Sequence, residues 1–154
     1  MKSPTWIVLI GIALLWSGSA LAANDSPVGK WKTIDDATNQ AKSIVEITDQ
    51  DGQLEGKILE LLNRTPDDIA RDGEHPVCAR CTDARKGQPL VGMVIMTGVT
   101  QDGDTWDGGR ILDPKNGKTY KVSLKVTNGG QNLEVHGYIG FSLLGRTQTW
   151  ERVE

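Results

Sequence analysis

The sequence predicts an all-β chain closed into an eight-stranded antiparallel up-and-down barrel. Three observations carry that prediction. Turn dipeptides recur at short spacing: Asp51-Gly52, Asp102-Gly103, Asn116-Gly117 and Asn128-Gly129-Gly130. These residues tolerate positive φ and suit tight turns between antiparallel strands. Between the turns the apolar period is two. Tyr120, Val122, Leu124 and Val126 alternate with Lys121, Ser123 and Lys125. Leu133, Val135, Gly137 and Ile139 alternate with Glu134, His136 and Tyr138, the pattern of half-buried strands. Finally, sequential antiparallel strands that close on themselves leave no exposed edge. A two-sheet sandwich is the alternative arrangement.

Strands are expected near 29–35, 41–48, 53–62, 89–99, 105–112, 118–127, 131–139 and 145–153. Glycines inside or beside them, such as Gly98, Gly109 and Gly137, permit the bends that closure requires. Short links join every pair of neighbours but one. The segment Asn63–Gln88 is a long excursion that holds both cysteines. Pro66-Asp-Asp-Ile-Ala inside it suits one helical turn, because Pro and acidic residues favour a helix start.

Ahead of the first strand lies a targeting segment. Lys2 is the only charge in residues 1–22, Trp6–Trp16 is almost wholly apolar, and Ala20-Leu21-Ala22 is a small-x-small cleavage site. Those are the parts of a secretory signal. The run is about half the ~20 residues a membrane anchor needs. The reading is a signal peptide at 1–22 and one β-barrel domain at 23–154, in the periplasm or outside the cell. No integral membrane association is expected after cleavage.

Composition excludes some functions. With 17 Lys+Arg against 20 Asp+Glu the net charge is −3, becoming −4 once Lys2 is removed. A mildly acidic chain lacks the basic face that nucleic acid requires. Hydrophobic residues at 38% fit a folded domain rather than a disordered one.

Cys78-Ala-Arg-Cys81 follows a secretory segment, so a disulfide is the first reading. His75-x-x-Cys78-x-x-Cys81 with Asp83 or Glu74 is the alternative, a four-ligand zinc site. No Gly-x-Ser-x-Gly or His-Glu-x-x-His motif is present, and Asp35-Asp36 reads as a rim turn. No cofactor is expected.

Trp31 in Gly29-Lys30-Trp31, with an arginine in the last strand, resembles the lipocalin–calycin signature. In that family the tryptophan plugs one end of the barrel and the late arginine packs across its indole. A second resemblance covers nearly the whole chain after residue 22. It rests on Gly29–Asp36, Cys78-x-x-Cys81, Gly108–Tyr120 and Gly137–Trp150. These segments resemble a family of secreted bacterial proteins classed as domain of unknown function two-one-four-seven. The resemblance implies a calycin-like barrel and a signal peptide, and it transfers no catalytic residue.

An eight-stranded barrel is either filled by side chains or holds one small ligand. Inward Trp31, Tyr120, Phe141 and Trp150 would fill it, while the glycines would leave space. If Trp150 faces inward, alternation sends Gln148 and Arg146 inward as well. The candidate binding residues are therefore Arg146, Gln148, Trp150, Trp31 and Tyr120. The function expected is a lipocalin-like binder of a small apolar or amphipathic ligand with an acidic head. A filled, non-enzymatic interaction module is the alternative, and a hydrolase-type enzyme the least favoured class. Terminal sequencing of the exported protein is expected to begin at Ala23; a full-length, membrane-embedded product would overturn the cleavage.

Overall fold

The computed structural model describes residues 25–153. The expected signal segment lies outside the described residues. Eight strands form a closed barrel in sequence order: β1 (Gly29–Asp35), β2 (Gln40–Gln50), β3 (Gln53–Leu61), β4 (Val94–Asp102), β5 (Thr105–Asp113), β6 (Lys118–Thr127), β7 (Asn132–Tyr138) and β8 (Arg146–Arg152). All neighbours are antiparallel. The barrel, not the sandwich, is the architecture.

The turns form where the dipeptides stand. Asp51 and Gly52 have φ of 55° and 87°, and the Gly52 N–H is held by the Asp49 carboxylate at 2.7 Å. The single α-helix among the described residues, α1 (Pro66–Asp72), is longer than the expected turn. Thr65 and Asp68 cap it reciprocally, each side chain taking the other's backbone N–H.

The fourth strand departs from the expectation. It starts at Val94, not near 89, and runs on to Asp102. Leu90–Met93 instead make a turn, with the Met93 N–H donating to the Leu90 carbonyl and Gly92 at φ 87°. Pro89 has no N–H to give a ladder, and Gly92 supplies the positive φ. Of this apolar stretch only Met93 is buried in the core, while Val91 is exposed on the turn.

The two ends of the barrel differ. At one end, the floor, the turns are short and the lead-in segment 25–28 packs across. At the other, the mouth, stand the β1–β2 and β5–β6 turns, the long β3–β4 excursion and the β7–β8 loop. The floor half is filled. Trp31, Val45, Ile47, Met96, Val99, Val122, Leu124 and Leu133 are essentially without solvent contact. Gly56 sits among them because a Cβ there would press on Met96 at 3.1 Å.

Closure is made by few backbone contacts. β8 meets β1 in two register pairs, Trp31↔Arg152 and Lys32↔Glu151. Side chains supplement them. The Arg152 guanidinium lies 4.1 Å from the centre of the Trp31 ring, a cation–π contact. It also donates to the carbonyls of Ser26 at 2.7 Å, Val28 at 3.0 Å and Gly130 at 2.5 Å. The Trp31 indole N–H donates to the Pro27 carbonyl at 2.7 Å. Burial pushes the Arg152 pKa down from its ordinary value, and those bonds offset the lost hydration.

Arg152→Ala is expected to cost about 2–3 kcal/mol in urea unfolding, since charge-assisted bonds and a cation–π contact go together. Arg152→Lys should recover less than half of that, because a lysine cannot fork to three carbonyls. Full recovery by lysine would show that charge alone closes the barrel.

Candidate ligand-binding cavity

The mouth half of the barrel is hollow. A cavity of about 1230 Å³ runs from Trp150 and Ser43, both buried, up to exposed rim residues such as Thr38 and Arg71. Its deep wall is apolar: Ile58, Ile95, Leu112, Val135 and Trp150 are buried and line it. Tyr120, Leu61 and Ile111 stand higher and are half-buried. Filled and hollow are thus both correct, at different heights of one barrel.

The last strand carries a polar ladder up this wall. Trp150, Gln148 and Arg146 share its inward face and grow more exposed toward the mouth. The Trp150 indole N–H donates to the Gln148 Oε1 at 3.4 Å. Gln148 donates in turn to the Asp36 Oδ2 at 3.5 Å. The Arg146 Nε donates to that same oxygen at 2.6 Å, and its terminal nitrogen completes the ion pair. Arg146 is therefore not an isolated buried cation seeking a ligand. It stands at the rim, with Asp36 as its partner.

Four of the five candidate residues line the cavity: Arg146, Gln148, Trp150 and Tyr120. The Tyr120 hydroxyl accepts from the Asn116 side-chain amide at 2.9 Å, which fixes the ring against the β5–β6 turn. Trp31 is a correction: it belongs to the closed floor and does not line the cavity. Phe141 is another, being 78% exposed on the β7–β8 loop instead of facing inward.

Sequence reasoning missed the other rim charges. Lys42, Arg80 and Lys115 line the wall and form no ion pair among the described residues. The rim acids are engaged. Asp35 accepts from the N–H groups of Thr38 and Ala37 at 3.0 Å each, and these bonds, the Thr38 one foremost, lower its pKa. Asp68 is lowered likewise by the Thr65 backbone N–H and then by Arg71. In all, six basic side chains line the cavity against four acidic ones. The overall charge of −3 gave no sign of this local excess, which depends on which loops meet at one end.

The cysteines form a disulfide, with Cα atoms 5.5 Å apart and both residues buried. That corrects the zinc alternative, because both sulfurs are bonded to each other. His75 is exposed on the excursion, and Asp83 is taken by Arg85, whose hydrogen bonds hold its pKa down at about 2. Ala79 and Arg80, inside the disulfide ring, form part of the cavity wall. The ring rests on the β5–β6 turn at Gly117.

The family described as "Uncharacterized protein conserved in bacteria" (DUF2147) matches residues 29–152. The chain belongs to that family. The match runs from the first residue of β1 to the last of β8, so the DUF2147 unit is this barrel. Among solved structures, one described as "Protein HP1028 from the human pathogen Helicobacter pylori belongs to the lipocalin family" is similar, with a TM-score of 0.70. The two are 19% identical over 84% of each chain, a likeness of fold. This DUF2147 chain thus has the lipocalin-type closed barrel. No curated protein sequence matches it. Among the described residues no helix is long and apolar enough to cross a membrane.

Gly117 has φ 74°, and a Cβ there would lie 1.9 Å from the Arg80 carbonyl oxygen. Gly117→Ala is expected to lift the disulfide ring off the turn, at a cost of roughly 1–3 kcal/mol from strain and overpacking. Limited proteolysis should then cut within 77–88 well before the strands. An unchanged digestion pattern would mean that the ring is held elsewhere.

Proposed function

We propose that this DUF2147 protein is a non-enzymatic carrier of a small amphipathic ligand with an anionic head. One observation carries the reading: the hollow half of the barrel has an apolar base and a rim with more basic than acidic side chains. The apolar body packs against Ile58, Ile95, Leu112, Val135 and Trp150. The head meets Lys42, Arg80 and Lys115, none of which is closed in an ion pair among the described residues, although Lys115 also acts on Asp35 at longer range. A concave apolar pocket with a few placed polar groups is the usual form of a small-molecule site. The lipocalin fold of the Helicobacter pylori structure supports the same reading. The apolar segment before Ala23 and the disulfide support the periplasm or the exterior as its place of work.

The paired carboxylates Asp35 and Asp36 support binding over acid–base catalysis. One is occupied by turn N–H groups and the other by Arg146 and Gln148. Within the carrier reading, Arg146 and Asp36 set the charge beside the head without being its main anchors.

The test is titration with fatty acids and related amphiphiles, followed by tryptophan fluorescence, since Trp150 lines the cavity. Losing Arg80 and Lys115 together should weaken binding about tenfold, ~1.4 kcal/mol. The ladder gives an opposed pair of outcomes. Arg146→Ala leaves Asp36 bare and should weaken an anionic ligand; Asp36→Asn frees Arg146 and should tighten it, each by roughly threefold to tenfold. Changes of the same sign would remove the anionic head from the proposal. No binding by any amphiphile would promote the interaction-module reading.

A further inference from the structure

The β7–β8 loop, Ile139–Gly145, displays four large apolar side chains. Ile139 is 62% exposed, Phe141 78%, Leu143 93% and Leu144 76%. Solvent-exposed apolar residues are ordinary singly, but four on seven consecutive residues form a patch. The loop is not slack. Ser142–Leu144 make a 3₁₀ turn, with the Leu144 N–H on the Phe141 carbonyl at 3.1 Å. His136 on β7 braces it from below, its Nε2 2.6 Å from the Ser142 carbonyl and its Nδ1 2.8 Å from the Thr147 hydroxyl. Gly145 is needed there, because a Cβ would meet the His136 ring at 2.5 Å.

A lid over the cavity explains only half of this patch. Ile139 and Leu144 line the cavity mouth; Phe141 and Leu143 do not. Those two are the most exposed of the four, and the cavity does not cover them. The surroundings indicate the charge of a partner that would. No ionisable carboxylate or amine occurs from Ile139 to Gly145. At the foot of the loop, Tyr138 pairs across the sheet with Lys121, and Lys121 with Arg110, a row of two exposed cations. Lys118, exposed at the mouth end of β6, faces Asp113 across the sheet and is not part of this row, while Asp107 accepts from the Tyr138 hydroxyl at 3.4 Å beside it. An apolar tip above a pair of exposed cations suits a lipid interface, the tip among acyl chains and the cations toward anionic head groups.

We propose that this loop docks the barrel, mouth first, onto an anionic lipid surface. The inference goes beyond the carrier reading and stands without it, since it uses no cavity contact. Docked this way, Ile139 and Leu144 would lie between the bilayer and the cavity.

The test uses the chain from Ala23 onward, which contains the whole barrel without the apolar segment that would itself bind lipid. It is co-sedimented with vesicles of phosphatidylcholine, alone or mixed with phosphatidylglycerol. The wild type is expected to bind the mixed vesicles, less so at raised salt. Phe141→Ser with Leu143→Ser should lower partitioning at least about tenfold while the thermal melt stays unchanged. Arg110→Gln with Lys121→Gln should lower it on mixed vesicles only. Absence of wild-type binding, or equal binding by the serine variant, would overturn the proposal. So would self-association of the wild type that the serine variant abolishes, which would assign the loop to a second copy of the chain.

Discussion

The barrel depends on the place where its two ends meet. Seven of the eight strand pairs are between sequence neighbours, and short turns or one excursion bring those together. The eighth, β1 with β8, joins segments about 120 residues apart through two register pairs. Arg152 makes that junction hold. Its ring contact with Trp31 ties β8 to β1, and its three carbonyl acceptors come from the lead-in segment and the β6–β7 turn. A guanidinium suits this role because its planar fork can serve several acceptors while its face covers an indole. Without the junction, β1 and β8 would be open edges, and the filled floor half would lose its seal.

Closure at the floor leaves the mouth free to carry chemistry. Large apolar side chains occupy the floor half, so that end is committed to stability. Along β8 the change is visible residue by residue: Arg152 and Trp150 are packed, Gln148 is half-buried, and Arg146 stands at the rim. Hydrogen bonding couples these steps. The buried Trp150 N–H needs an acceptor, Gln148 supplies it, and the Gln148 amide then faces Asp36. The same ladder that satisfies the wall therefore fixes the charge at the opening.

Much of this was legible in the sequence, for definable reasons. Period-two runs and Gly-containing turns mark strands because both are local properties. Alternation also put Trp150, Gln148 and Arg146 on one face of β8, and the closed barrel turns that face inward. The start of β4 was not legible, since Leu90, Val91 and Met93 are apolar whether they form a strand or a turn. Trp31 was misassigned because its inward orientation says nothing of its height in the barrel. The Arg146–Asp36 pair spans 110 positions and exists only once the barrel has closed. The cavity is similarly a property of heights: Trp31 and Trp150 are both inward, and only one bounds the space.

The disulfide has a role that its small ring alone would not suggest. Closing so few residues removes little entropy from the unfolded chain. Yet the excursion between β3 and β4 has a poor core of its own, and α1 buries no residue. Cys78 and Cys81 are 0% and 1% exposed, the most buried side chains the excursion contributes to the apolar core. The bonded sulfurs thus act as an apolar foot that seats the excursion against the barrel. The foot presses the Arg80 carbonyl into space left by Gly117, on the turn that also carries Lys115. Two of the rim cations are in this way held on one rigid contact between a disulfide ring and a β-turn. An oxidising compartment, by keeping the sulfurs joined, would also keep the rim charges in register.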